Sequence, residues 1–216
     1  MNRLIRLGAT MLPLLLWSSP AGAAEHFSVL SGRTVGNDNT VLHVQAGWPG
    51  ISATILHGIS PVLDLGGLFA FNYGIEGTTN VAPGIKLAGV ARFNLVDTPK
   101  YNIGFGGGLG FVAYFPSGGS TIGITIPISF AAGFSVAPQL MVTAGFDLPI
   151  LIGFSHGGGV LIPILFGGGF EYTIDPTLLL TFNLRFGPAI YGGSAFAGAS
   201  GAVFDMVAQL GVAYKF

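Results

Sequence analysis

Residues 177–186 read Thr-Leu-Leu-Leu-Thr-Phe-Asn-Leu-Arg-Phe, and the order of these side chains decides the fold. Leu178, Leu180, Phe182, Leu184 and Phe186 share one parity, while Thr181, Asn183 and Arg185 share the other. A period of two is that of a β-strand, whose successive side chains point to opposite faces. The end of the chain repeats the pattern: Phe204, Met206, Ala208, Leu210, Val212, Tyr214 and Phe216 oppose Asp205, Gln209 and Lys215. Parity alone does not say which face lies outside, because a soluble barrel alternates too, with its apolar face inward.

Composition assigns the faces. Half of the residues are apolar, only 8% are charged, and the mean hydropathy is +0.70. The charges within the alternating stretches are Asp64, Lys86, Arg92, Asp147, Glu171, Arg185, Asp205 and Lys215, and each shares its parity with the polar or small residues of its stretch. Four acids and four bases cannot solvate the outside of a domain this size. They therefore face an interior, where opposite charges in equal number avoid the cost of unpaired buried ions. The apolar parity faces lipid. No apolar run after residues 7–17 approaches the roughly 20 residues of a spanning helix, and 36 glycines punctuate the chain. A closed barrel is the other structure that satisfies its backbone in a bilayer. The expected fold is all-β: an antiparallel up-and-down transmembrane β-barrel of about ten strands, with eight or twelve also fitting the pattern.

The expected strands cover residues 40–48, 51–59, 62–74, 85–96, 101–115, 122–136, 139–152, 161–174, 177–190 and 202–216. Their connections alternate in kind. Ser60-Pro61, residues 97–100, Ala137-Pro138 and Asp175-Pro176 are tight, whereas residues 75–80, 116–120, 153–160 and 191–201 are longer; the short Pro49-Gly50 link departs from the trend. Membrane barrels have short periplasmic turns and longer external loops, so both chain ends are expected in the periplasm. Pro127, Pro149, Pro163 and Pro188 fall inside expected strands, where a missing amide proton interrupts the ladder; all lie towards the external ends, where irregularity is tolerated.

The first 23 residues read as an export signal: Arg3 and Arg6, an apolar stretch over residues 7–17 too short to span a bilayer, and a small-residue cut at Ala21-Gly22-Ala23. Gly22 and Ala24 offer a second match one residue later. Residues 24–39 show no sustained alternation and read as a periplasmic lead-in or loosely held tail, with the barrel mouth as the alternative place. Residues 40–216 form the barrel. Losing Arg3 and Arg6 leaves six basic residues against nine acids, about three net negative charges, which speaks against nucleic acid as a partner. The absence of cysteine removes disulfides, thiolate metal sites and thiol nucleophiles.

The strand ending Val212-Ala213-Tyr214-Lys215-Phe216, with its terminal phenylalanine, resembles the assembly signal of bacterial outer-membrane barrels. With the signal peptide and the strand pattern, the chain from residue 24 onward resembles a small porin-like or OmpA-type transmembrane barrel of a Gram-negative bacterium. The resemblance implies an outer-membrane location, contact with outer-membrane lipid, and recognition of the last strand, through Tyr214 and Phe216, by the barrel-assembly machinery. It names no substrate.

Some barrels of this class are enzymes acting on lipid A, phospholipids or peptides, and they need a His with a Ser and an acid, or paired Asp and His. Here His26 lies in the lead-in, His43 and His57 lie near the first hairpin, and only His156, beside Ser155, falls in an external loop. Adjacent Ser and His rarely reach each other in the geometry of a nucleophile and its base. Asp147, the acid on the strand feeding that loop, has inward parity, and His57 falls on the outward parity near a periplasmic turn. Gly104 to Gly110 and Gly153 to Gly159 lack the spacing, helix or lysine of phosphate loops, and no carboxylate and histidine cluster has metal-ligand spacing. No cofactor is expected. Trp48, Phe71, Tyr73, Tyr101, Phe115, Tyr172, Tyr191, Tyr214 and Phe216 lie near strand ends, as interfacial aromatic girdles do.

Three functions remain. The first is a structural barrel, not an enzyme, with a mostly filled, charge-neutral lumen. The second is a narrow passive pore for small solutes, allowed by the inward glycines Gly104, Gly106, Gly108 and Gly110 of one strand and Gly167 and Gly169 of another. The third is a rim hydrolase using His156. Folding the hairpins about their loops sets Asp64 opposite Arg92 and brings Arg185 beside Asp205.

Overall fold

The structure, a computed structural model, describes residues 27–75, 81–116, 119–155, 158–193 and 201–216. The expected export signal and His26 and His156 lie outside the described residues. The strands are β1 (Thr40–Trp48), β2 (Gly50–Ser60), β3 (Leu63–Gly74), β4 (Val81–Asp97), β5 (Tyr101–Tyr114), β6 (Thr121–Ala137), β7 (Leu140–Gly153), β8 (Gly159–Pro163), β9 (Leu165–Asp175), β10 (Leu178–Gly193) and β11 (Gly201–Lys215). Each pairs antiparallel with its neighbours, and β1 closes the ring on β11 from Val41 opposite Lys215 to Trp48 opposite Ala208. The result is a closed up-and-down barrel of ten strand positions.

β8 and β9 share one position between β7 and β10. Leu161 faces Leu151 and Leu165 faces Asp147, so the register is the same on both sides of Ile164 and no residue is inserted. The interruption follows Pro163, whose ring cannot donate to the ladder. Pro127 faces Pro149, and Pro163 faces Ala189. Opposite Pro127, the β5–β6 ladder is also broken between Gly107 and Gly110. Proline thus breaks the wall at one level, in the half of the barrel that carries the longer loops.

The four tight connections share a device. Each hairpin, β2–β3, β4–β5, β6–β7 and β9–β10, carries a register shift next to its turn. Such bulges end pairing and tighten the local twist. At the last of them Asp175 Oδ1 accepts hydrogen bonds from Thr177 N and Thr177 Oγ1, both at 2.7 Å.

Parity in the sequence becomes direction in the wall. Leu87, Leu109, Phe111 and Phe204 are among the most exposed side chains, all above 60%, while Asp64, Glu171, Arg185 and Asp205 on the other parity are buried at 3% or less. Aromatic rings pair along the outside, Phe146 with Phe166, Phe170 with Phe182 and Phe186 with Phe204. Trp48 and Tyr73 meet edge to face at the longer-loop end, ring centroids 5.7 Å apart.

Candidate functional site

The lumen is built on rows of inward side chains that follow the strand register. Asp64 faces Arg92, Arg92 faces Gly106, Gly106 faces Ser129 and Ser129 faces Asp147. Asp64 is fully buried, and Arg92 grips it with Nη2 at 2.6 Å and Nε at 3.2 Å. This is the pair that hairpin folding places together.

Arg185 differs from expectation. Its cross-strand partner on β11 is Val207, and Asp205 stands opposite Gly187, a diagonal neighbour. The ion pair that Arg185 makes runs the other way round the wall, Nε to Asp147 Oδ2 at 3.1 Å. Gly167 on β9 faces both Arg185 and Gly145, so the lumen surface there is bare backbone and the long side chain crosses it.

Residues 27–35 lie inside the barrel mouth at the tight-turn end, and Asn37 and Asp38 are exposed outside it. Phe27, Ser28, Ser31, Thr34 and Val35 are buried. The segment has no ladder of its own, so its backbone groups bond to wall side chains. Glu171 Oε1 accepts from Val29 N and Leu30 N, both at 2.8 Å, and both oxygens of Asp64 accept from Val35 N at 3.2 Å. Arg92 Nη2 donates to Ser28 O at 2.8 Å and Arg33 O at 3.1 Å, and Asn94 Nδ2 donates to Gly32 O at 2.9 Å. Asn102 Oδ1 accepts from Arg33 N at 3.1 Å. At the rim the Arg33 guanidinium meets Asp97 at 2.9 Å.

Shape holds the segment as well. A Cβ on Gly104 would stand 2.5 Å from Gly32 Cα, so the two backbones touch only because both residues are glycine. Phe27 and Val35 pack with Val41, Leu56, Leu179 and Ala213 of the wall, and Lys215 Nζ sits 5.2 Å above the Phe27 ring. Gly36, at φ +90°, turns the chain out of the mouth towards β1.

The longer-loop end is closed differently, by apolar side chains. Ile75, Val112, Tyr114, Leu151, Leu161 and Ala189 form one buried cluster, Tyr114, Leu151 and Leu161 with no exposure. Tyr191 packs against this cluster from the lumen side, so it belongs to the seal and not to an interfacial girdle. Asn72 Nδ2 donates to the Tyr114 hydroxyl at 3.2 Å.

Between the two seals the lumen is polar. His43 Nε2 bonds Thr181 Oγ1 at 3.0 Å. Two cavities, of about 130 and 160 Å³, lie against Val29 and Leu30 and share Arg92 as a wall. Gln45 Nε2, Arg92 Nη1, Asn183 Oδ1 and Arg185 Nη1 are buried without a hydrogen-bond partner among the described residues. All four residues line one cavity or the other.

The remaining expected residues are placed as follows. Lys86 is buried and faces Ala70, in the longer-loop half. Tyr214 and Phe216 are exposed on the outer wall, rings 6.1 Å apart, and Phe216 N donates to Thr40 O at 3.0 Å across the closing seam. His57 is outward and exposed, its Nδ1 2.9 Å from Thr40 Oγ1. The Ser155 hydroxyl, neighbour of His156, accepts from Ile122 N at 3.0 Å. The charge pattern alone missed His43, Gln45 and Asn102 as lumen groups, although their parity marks them as inward, whereas Asn183 lies on the inward face as its parity with Arg185 predicts. The charge pattern also missed Arg33. Among the described residues no three His, Asp or Glu side chains come together as a metal site would require. No protein-family model matches the chain, and no curated protein matches it either.

Proposed function

We propose that the chain is an integral protein of a bacterial outer membrane, a barrel with a lumen closed at both ends, whose role is structural and not catalytic. One observation carries this reading. Around the whole circumference the outward parity of the strands is apolar between the turns, from Leu42 and Val44 on β1 to Leu210 and Val212 on β11, and these side chains are exposed. Monomeric soluble proteins rarely expose contiguous apolar patches of more than a few hundred Å², and a belt closed upon itself fits hydrocarbon. In that setting the tight turns and both chain ends face the periplasm, outer-membrane lipid covers the belt, and the last strand, ending in Tyr214 and Phe216, is what the barrel-assembly machinery reads.

The two seals support a closed lumen over an open one. An ion entering from the tight-turn side meets the segment of residues 27–39, and one entering from the other side meets Tyr114, Leu151 and Leu161. The second reading, a narrow pore for small solutes, rests on the polar cavities between the seals and requires both seals to move. Planar-bilayer conductance of the purified protein, beside its gel migration with and without boiling, tests the proposal. We expect heat-modifiable migration and no steady conductance. Steady single-channel currents favour the pore, and identical migration argues against a detergent-resistant barrel in a membrane.

A further inference from the structure

We infer that the larger purpose of the polar layer is to hold a small monoanionic carboxylate in the cavity between Arg92 and Arg185. The inference requires only the closed barrel and the seated segment, so it stands apart from the membrane reading.

Both guanidinium groups line the same cavity of about 130 Å³, and each presents an Nη1 without a hydrogen-bond partner among the described residues. Arg185 is 3% exposed, so this donor is well removed from bulk water. Leaving a buried charged donor unpaired costs more than leaving a neutral one, and a guanidinium edge matches the two oxygens of a carboxylate. On Arg92 the rest of the fork is committed, Nε and Nη2 to Asp64 and Nη2 also to the carbonyls of Ser28 and Arg33, and Arg185 is anchored through Nε to Asp147. Those bonds fix the plane of Arg92 before any ligand arrives and tether Arg185 at its Nε.

The other walls set its size and charge. Gly104, Gly106 and Ala131 leave the space, and Gly32 of the segment closes it from the tight-turn side. Asp147 lies on the same wall as Arg185 and repels a second negative charge, which favours a monoanion over a phosphate dianion. Asn183 adds an amide to the lining, with Oδ1 unpartnered among the described residues, and can meet a polar end of the ligand. Because Val29 to Gly32 form one wall, the site exists only while the segment is seated, and the ligand enters before or with it.

The test uses protein expressed from the full chain, purified in detergent, then unfolded and refolded with carbon-13 acetate, the number of bound acetates being read by NMR after removal of free ligand. The expected result is saturable binding of one acetate per barrel. Arg185→Gln should weaken it by about tenfold or more, the loss of one charge-assisted hydrogen bond. Ala131→Leu keeps every charge and fills the cavity, and it should abolish binding while gel migration still reports a folded barrel; if Arg185→Gln does not refold, this variant decides. An absence of saturable acetate on the unaltered protein means that water alone occupies the cavity and overturns the inference. Undiminished binding by Ala131→Leu overturns it too, since the anion then sits elsewhere.

Discussion

Arg185 on β10 holds Asp147 on β7 across the full width of β9, Nε to Oδ2 at 3.1 Å. Strands two positions apart are separated by about 9 to 10 Å, a span that arginine covers only where the strand between them offers no side chain. Gly167 provides that gap. The charge network is therefore drawn by where the glycines are as much as by where the charges are.

Loss of Arg185 should be felt by Asp147 above all. Arg185→Met leaves Asp147 without its partner, but water reaches that carboxylate, which is about a third exposed, so the expected loss of stability is about 1 kcal/mol. Asp147→Asn should cost more, about 3 kcal/mol, since it leaves the Arg185 guanidinium, 3% exposed, uncompensated in the interior. Urea unfolding in detergent of both single variants and the double variant should give a coupling of about 1 kcal/mol or more. Additive effects would show that the pair is a contact without energetic weight.

Gly104→Ala should unseat residues 27–39. The added methyl meets the Gly32 backbone, which cannot rotate away as a side chain could, and overpacking of this kind costs about 1 to 3 kcal/mol. Hydrogen exchange at the Val29 and Leu30 amides should accelerate while the strand amides of β4 and β5 stay protected. Unchanged protection at Val29 and Leu30 would mean that the Glu171 bonds hold the segment without the glycine contact.

Leu87, 62% exposed in the middle of β4, reports what surrounds the belt. In hydrocarbon, Leu87→Arg should cost about 2 to 4 kcal/mol, the penalty for arginine on a lipid-facing strand near the bilayer centre. In water the same change is expected to stay within about 0.5 kcal/mol, as surface substitutions do. Unfolding of the variant in lipid vesicles, with the unaltered protein alongside, separates the two, and a near-zero difference would count against a membrane setting.

Deleting Phe216 removes the bond from its amide to Thr40 O and the ring packed against Tyr214, both at the seam where the barrel closes. In the proposed outer-membrane setting, assembled protein in that membrane's fraction should fall while processing of the expected export signal continues. Normal levels of assembled, heat-modifiable protein would show that the last residue is dispensable to the machinery.

The wall was legible because a β-strand writes its two faces into alternate residues. Nine of the ten expected strands reappear as single strands, seven with bounds within about two residues, and the tenth is split only at Ile164. β4 begins at Val81, earlier than expected, because Val81, Pro83 and Ile85 keep the outward parity through a proline that reads as a break. Asp64 and Arg92 could be paired by folding a short hairpin, whereas Arg185 and Asp147 could not, being separated by another strand. Residues 27–39 were legible only as far as the alternative of the barrel mouth, for a related reason. A segment whose backbone bonds to Glu171, Asp64 and Arg92 has no period, and nothing local announces that its partners lie as far along the chain as Glu171. The available hints were indirect: Phe27, Val29, Leu30 and Val35 are costly in a free tail, and Gly104 to Gly110 bares a strip of inner wall that something must cover.

The two seals also differ in how they can drift over evolutionary time. The apolar one is assembled from separate strands, so substitutions can enter it one side chain at a time, each absorbed by its neighbours. The other is a single stretch whose contacts with Glu171, Arg92, Asp64 and Asn102 all depend on one alignment. A single inserted or deleted residue between Phe27 and Val35 would shift that alignment and break those contacts together. Among diverging descendants of this chain, the spacing from Phe27 to Val35 should hold constant long after the residues at Val112, Leu151 and Leu161 have been exchanged for others of similar bulk.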